Sequence, residues 1–270
     1  VILIIAGLGT KAGAVPYHFA TPDAYSVAPS GVTALMIVAS QAGLYGMFRI
    51  LFSVYGGVFT SATVGWIVII LGVLSMFIGV TMAIPQKDIK RLLSYHAVSQ
   101  TGYMLLGVGV ALAVLGDVTL TNAFGQMAME GGLFHIINHA MYKGLLFLAV
   151  GAVIYRTGVW NLNEMGGLGH KMKWTMIFFL IGALAIASIP PFNGFASKLM
   201  IYESTFAFNP AIAIIAMVVS ILTLASFMKV FHSVFMGPEL PEYAGVREVP
   251  KRMLAGMAIL AAFVIIFGIV

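Results

Sequence analysis

The sequence predicts an all-α, polytopic membrane protein with about eight transmembrane helices, two of them broken. Three observations carry that prediction. Of 270 residues, 61% are hydrophobic and only 9% charged, and the mean hydropathy is +1.03. Soluble domains average about 25% charge. Apolar runs close to the ~20 residues that a helix needs to cross a bilayer recur along the whole chain. Lysine and arginine fall almost entirely in alternate loops between those runs.

The runs fall at 1–19, 31–54, 63–85, 94–115, 123–155, 173–206, 210–236 and 252–270. The first contains "GLGTKAGAVPYHF" and the sixth "LAIASIPPFNGFASKLMIY", with prolines deep in apolar sequence. Proline removes a hydrogen-bond donor and clashes with the preceding turn, so both helices should break there. In lipid, a broken helix is tolerated only where protein or a water-filled cavity satisfies the freed backbone. Each break lies near a lysine, Lys11 or Lys198. Paired broken helices are the best sequence pointer to a transport site in repeat-built transporters. The fifth and sixth runs are overlong, and both carry internal ionisable groups. The chain opens on Val1 and stops at Val270 inside an apolar run, so it reads as part of a longer polytopic protein.

Orientation follows from the cations. One set of loops holds Lys87, Lys90, Arg91, Arg156, Lys171, Lys173, Arg247, Lys251 and Arg252, whereas the opposite set holds only Arg49. That asymmetry places the "QKDIKR" side in the cytoplasm and supports an even number of spans. It also accounts for the net charge of +5 without a nucleic-acid partner. There is no cysteine, which excludes disulfides and cysteine-ligated iron–sulfur clusters within this chain. "GLGTKAG" has neither P-loop nor Rossmann spacing, so any redox chemistry lies elsewhere.

The remaining cations lie inside the runs. In "GLFHIINHAMYKGLLFLAVG", His135, His139 and Lys143 are four residues apart and share one helix face. A lysine at the bilayer centre costs roughly 2.5–3.5 kcal/mol on insertion scales, and such residues usually line ion or proton paths. Each histidine alone is also compatible with a hydrogen bond to a neighbouring helix. A metal site lacks a nearby carboxylate or cysteine, and histidines one turn apart suit a bis-histidine haem poorly. A proton relay uses all three residues. Lys198 follows the Pro190-Pro191 break by two turns, with snorkelling to an interface as the alternative; Lys11 is similar. Glu130 and Glu203 read as solvated near span ends, and Lys229 and His232 as snorkelling. Gln41 is polar in mid-span, but it carries no proton as a lysine does.

Four segments, "KAGAVPYHFATPDAYSVAPSGVTALM", "DIKRLLSYHAVSQTGYMLLG", "HIINHAMYKGLLFLAVGAVI" and "IPPFNGFASKLMIY", resemble the antiporter-like subunit family in order and over essentially the whole chain. Its members are the pumping subunits of respiratory complex I, Mrp-type sodium/proton antiporters and membrane-bound hydrogenases. The resemblance implies a fold of fourteen helices with two inverted five-helix repeats, each with one broken helix. The eight spans here then match helices seven to fourteen: residues 1–60 end the first repeat, 61–236 form the second, and 237–270 supply a loop and the final helix.

The resemblance also implies roles. Lys11 matches the lysine of the first broken helix, Lys143 the central lysine, and Lys198 the exit-side position of the second broken helix; His135 and His139 match relay positions between them. Gln41 departs from the lysine or histidine that most members carry there, and the family's helix-five glutamate would lie before Val1. Lys143 to Lys198 matches throughout. The implied protein is a proton-translocating or sodium/proton-exchanging subunit in the energy-transducing cell membrane of a prokaryote. It carries no cofactor, metal or redox centre of its own. The partners would be other membrane subunits, further antiporter-like ones among them, and a peripheral redox module. A stand-alone Mrp-type antiporter, a solute transporter and a non-pumping structural subunit stay open as alternatives.

Overall fold

The computed structural model describes residues 2–54 and 61–269, all of it helix, turn and loop apart from one isolated bridge between Asp88 and Asn161. In chain order the α-helices are α1 (Ile2–Ala12), α2 (Ala20–Val27), α3 (Ser30–Ser53), α4 (Ser61–Ala83), α5 (Ile89–Val114), α6 (Val118–Leu120), α7 (Gln126–Thr157), α8 (Lys173–Ile186), α9 (Asn193–Phe208), α10 (Pro210–Phe231) and α11 (Lys251–Ile269). A π-helical turn, Thr121–Gly125, joins α6 to α7 in one rod, and another, His232–Met236, extends α10.

Six of these rods are long and apolar enough to cross a membrane: α3, α4, α5, α6–α7, α10 with its π turn, and α11. The other two predicted runs are broken. Between α1 and α2 lie Gly13, at φ +74°, and a cis Val15–Pro16 bond. Only glycine takes such a φ without strain, which explains why the helix stops there. Between α8 and α9 lie Ser188, at φ +64°, and a cis Pro190–Pro191 bond. The expected count of eight spans therefore resolves into six continuous rods and two broken helices, neither half of which crosses alone.

Capping explains where the ends depart from the hydropathy runs. The run at 94–115 begins five residues earlier because the Asp88 carboxylate accepts the N–H groups of Lys90 at 2.8 Å and Arg91 at 2.9 Å. Asp117 starts the rod through α6 in the same way, from Thr119 at 2.8 Å. At its far end Gly158, at φ +70°, closes α7. Asn209 caps α10 by accepting from Ala211 at 3.0 Å, with Pro210 at the first position.

The three cation-rich loops meet at one end. Leu162 N–H donates to the Lys87 carbonyl at 2.9 Å, Tyr243 Oη to the Glu164 carbonyl at 2.6 Å, and Arg156 to the Glu248 carbonyl at 2.5 Å. The charge asymmetry read from sequence thus corresponds to a single face. The expected boundary between residues 60 and 61 adjoins residues 55–60, which lie outside the described residues.

Helix α5 is the axis of the fold and is buried along nearly its whole length. It packs backbone to backbone on α4, where Gly65, Gly72 and Gly79 recur every seven residues. A Cβ on Gly72 would lie 2.9 Å from the Gly102 carbonyl of α5. Small residues permit this approach where lipid supplies no hydrophobic drive between helices. The close contact puts the polar side chains of α5 within reach of both broken helices.

Candidate functional site

Helix α7 turns His135, Asn138, His139, Tyr142 and Lys143 into the interior, each with no exposed surface. Lys198, on the second turn of α9, is equally buried. Each lysine head is held by a backbone carbonyl: Lys143 Nζ donates to Leu93 at 2.5 Å, and Lys198 Nζ to Ile186 at 2.9 Å. Ile186 is the last residue of α8, so Lys198 occupies the negative end of a half-helix dipole. Aromatic faces supply the rest. Lys198 Nζ lies 4.1 Å from the Tyr103 ring centroid, and Lys143 Nζ lies 5.8 Å from both Phe147 and Phe227. Among the described residues no aspartate or glutamate is buried, so these ammonium groups rest on dipoles and rings alone.

Between the lysines runs a polar line. Ser197, next to Lys198, contacts His135 Nδ1 at 2.8 Å. On the other side of the ring, His135 Nε2 lies 3.3 Å from Gln100 Oε1 and 3.2 Å from Tyr142 Oη. Tyr142 Oη also donates to Gln100 Oε1 at 3.2 Å. As that amide is oriented, its oxygen accepts from Nε2–H, which leaves Nδ1 to accept from the Ser197 hydroxyl. His139 stands edge-on to Tyr142, with ring centroids 5.5 Å apart and both ring nitrogens free of hydrogen bonds. Asn138 and Asn193 pin the start of α9 to α7: Asn138 Nδ2 donates to the Asn193 carbonyl at 2.9 Å, and Asn193 Nδ2 to Asn138 Oδ1 at 3.2 Å.

The structure therefore brings together four of the five residues singled out from sequence: His135, His139, Lys143 and Lys198. Lys11 stands apart. It is exposed, its stem packs on Gly43 of α3, and it lines a groove of about 320 Å³ with Tyr25, Met36 and Ser40. Gln41 is buried with its Oε1 unpartnered. Glu130 and Glu203 are exposed, and Lys229 Nζ donates to the carbonyls of Ile84 at 2.8 Å and Gln86 at 3.2 Å by the cation-rich end. Among the described residues no group of three or more histidines, cysteines or carboxylates is placed to hold a metal.

Sequence reasoning missed Gln100, Tyr142, Ser197 and His96. His96 is fully buried, with Nε2 2.9 Å from Ser226 Oγ and Nδ1 without a partner. The signal was available: His96 and Gln100 are one turn apart in apolar sequence, the same spacing that drew attention to His135 and His139.

A family model described as "NADH:quinone oxidoreductase/Mrp antiporter, TM" matches residues 1–223. Hydrogenase-4 component B of Escherichia coli (strain K12) is 36% identical over 283 residues, covering 99% of this chain and 42% of that protein. A Na(+)/H(+) antiporter subunit of Alkalihalophilus pseudofirmus is 36% identical over 284 residues, covering 99% of this chain and 34% of that one. In the structure of the Mrp complex from Dietzia sp. DQ12-45-1b, one chain superposes with a TM-score of 0.85 at 27% identity, covering 99% of this chain and 55% of its own length. The chain spans about half or less of each of these relatives.

Proposed function

This chain belongs to the NADH:quinone oxidoreductase/Mrp antiporter family of transmembrane subunits, and we propose that, within a multi-subunit membrane complex, it moves protons, alone or in exchange for sodium, along its buried histidines and lysines. The observation that carries this reading is that Lys143, His139, His135, Ser197 and Lys198 all lie without exposed surface, with His135 bonded to Ser197 beside Lys198. Histidine, hydroxyl and lysine can each take up and release a proton; a path of these groups in an apolar interior costs insertion energy that a purely structural core would avoid.

Each lysine is parked on a carbonyl and not on the next member of the line. Transfer then needs the ammonium to leave that carbonyl and turn toward His139 or toward Ser197. Charge arriving at one lysine biases the other across the line, since both sit in the same low-dielectric interior. Residues 1–60 and 61–236 serve in this reading as the end of one repeat and the whole of a second, each with its own broken helix. Lys11 belongs to the first path and the buried line to the second. The energy for pumping comes from partner membrane subunits and, in a redox-driven complex, from a peripheral redox module.

The two relatives at 36% identity divide between a hydrogenase component and a sodium/proton antiporter component, which keeps both couplings in play. The test is ion movement in sealed vesicles holding the full complex, wild type against Lys198→Met, at low and high sodium. Loss of translocation with assembly and any redox turnover intact supports the relay, and the sodium dependence separates the couplings. Unchanged translocation overturns the relay and leaves the chain as scaffold.

A further inference from the structure

We infer that His96 and Ser226 form a feed that delivers protons to Lys143 from the cation-rich end, a branch that rests on the relay reading above. The direction in which Lys143 points is the first reason. Its Nζ does not turn back toward His139; it reaches the Leu93 carbonyl, in the second turn of α5, and leans over Phe147 one turn further along α7 toward the cation-rich loops. His96 lies three residues beyond Leu93 on the same helix. Phe227 is common to both groups: its ring centroid is 4.8 Å from that of His96 and 5.8 Å from Lys143 Nζ.

The hydrogen-bond pattern of His96 is the second reason. One ring nitrogen engages Ser226 Oγ at 2.9 Å, and the other, in the same apolar interior, has no partner. A buried polar atom left unpaired costs stability that an apolar side chain at position 96 would not. An imidazole bonded on one side and free on the other is arranged to take a proton at one nitrogen and release it at the other.

The third reason is where Ser226 leads. Lys229 follows it by three residues on α10, on the same helix face. Its head reaches the carbonyls of Ile84 and Gln86, at the end where the cation-rich loops gather. Lys229, Ser226 and His96 thus lead inward from that rim to the Phe227 ring, which Lys143 also faces. A proton taken up at the rim passes through the Ser226 hydroxyl to His96 Nε2, leaves from Nδ1 and converts the neutral amine of Lys143 to its ammonium form. His135 and His139 then carry the onward transfer only.

The test uses the full complex in sealed vesicles, with proton uptake on the cation-rich side and release on the other resolved in the first turnover. His96→Gln keeps a hydrogen-bonding side chain of similar reach but cannot relay. It is expected to slow uptake about 10²-fold, the scale of a lost proton-transfer group, while the first release from the charged line keeps its rate. Ser226→Thr, which retains the hydroxyl, should restore most of what Ser226→Ala loses. Wild-type uptake in His96→Gln overturns the feed, as does equal slowing of uptake and release, which marks a packing role. Lys143→Met separates the two readings. If it leaves translocation unchanged, relay and feed fall together; if it stops translocation while His96→Gln does not slow uptake, only the feed falls.

Discussion

The two broken helices share their ingredients and differ in their surroundings. Each crosses its break with a cis X–Pro bond and keeps a lysine beside it. Lys11 stays in the last turn of its own half-helix and faces outward. Lys198 sits on the far half-helix, reaches back across the break to the last carbonyl of α8, and is fully buried. The freed backbone is satisfied differently too. At the first break, Ser75 Oγ accepts from Val15 N–H at 3.0 Å and Thr101 donates to the Ala12 carbonyl at 3.2 Å, so α4 and α5 hold it. At the second, Ser220 of α10 donates to the Ala187 carbonyl at 3.3 Å and Asn138 of α7 to the Asn193 carbonyl at 2.9 Å, so α10 and α7 hold it. Proline fixes where a helix breaks, and packing fixes what the break can do.

The largest effect expected from this difference separates the two lysines. Lys198→Met should lower translocation about 10²-fold or more, because the buried line ends there. Lys11→Met should cost less in the same vesicle assay, since no described contact joins Lys11 to that line. Equal losses would break the comparison and require a connection between the two breaks. A smaller loss is expected from Ser197→Ala. It removes the hydroxyl that donates to His135 Nδ1 from the position next to Lys198, while both charged groups remain. A drop of about tenfold, with Ser197→Thr close to wild type, would place the serine within the path.

Much of this was legible in sequence because it depends on local chemistry. Pro16 and Pro190-Pro191 announced both breaks, and four-residue spacing announced that His135, His139 and Lys143 share a face. The sidedness was legible as well, since Lys87, Arg156 and Arg247 in separate loops gather at one end. What stayed hidden was tertiary. Nothing local to Lys198 shows that its head lies over Tyr103, 95 positions earlier in the chain, or that Gln100 meets His135. The seven-residue glycine period of α4 carried the missing information, because it is what draws α5 and its polar side chains into the centre.

The anchors of the breaks should matter less for translocation than for stability. Asn193→Ala removes the donation from Asn193 Nδ2 to Asn138 Oδ1 and leaves that buried oxygen unpaired, while Asn138 Nδ2 keeps its bond to the backbone carbonyl of residue 193. Interhelical hydrogen bonds in membranes are worth about 0.6 kcal/mol on average and up to about 1.7; the loss of the Asn193 donation, which strands a buried acceptor, belongs near the upper figure. Thr101→Val removes a single 3.2 Å bond to the Ala12 carbonyl at the first break and belongs near the average. Thermal unfolding of the detergent-solubilised complex measures both. If Thr101→Val proves the more damaging, the first break is the more tightly held of the two.

The smallest effect sharpens the same point. Helix α2, the second half of the first broken helix, meets the start of α5 through two cations. Arg91 pairs with Asp23 at 3.0 Å, but the two side chains are 43% and 69% exposed. Lys90 is buried, and its Nζ donates to the Ser26 carbonyl at 2.6 Å and to the Ala28 carbonyl, at the C-terminal end of α2. An exposed ion pair contributes about 0–1 kcal/mol and weakens with salt, whereas a buried ammonium bonded to the carbonyls at a helix C-terminus is screened much less. Asp23→Asn should therefore shift the melting temperature by no more than a degree or two in low salt and not at all in high salt. Lys90→Met should shift it further, and by the same amount in both. If the two substitutions respond alike to salt, the exposed pair and not the buried lysine fixes α2, and the first break is held from its surface.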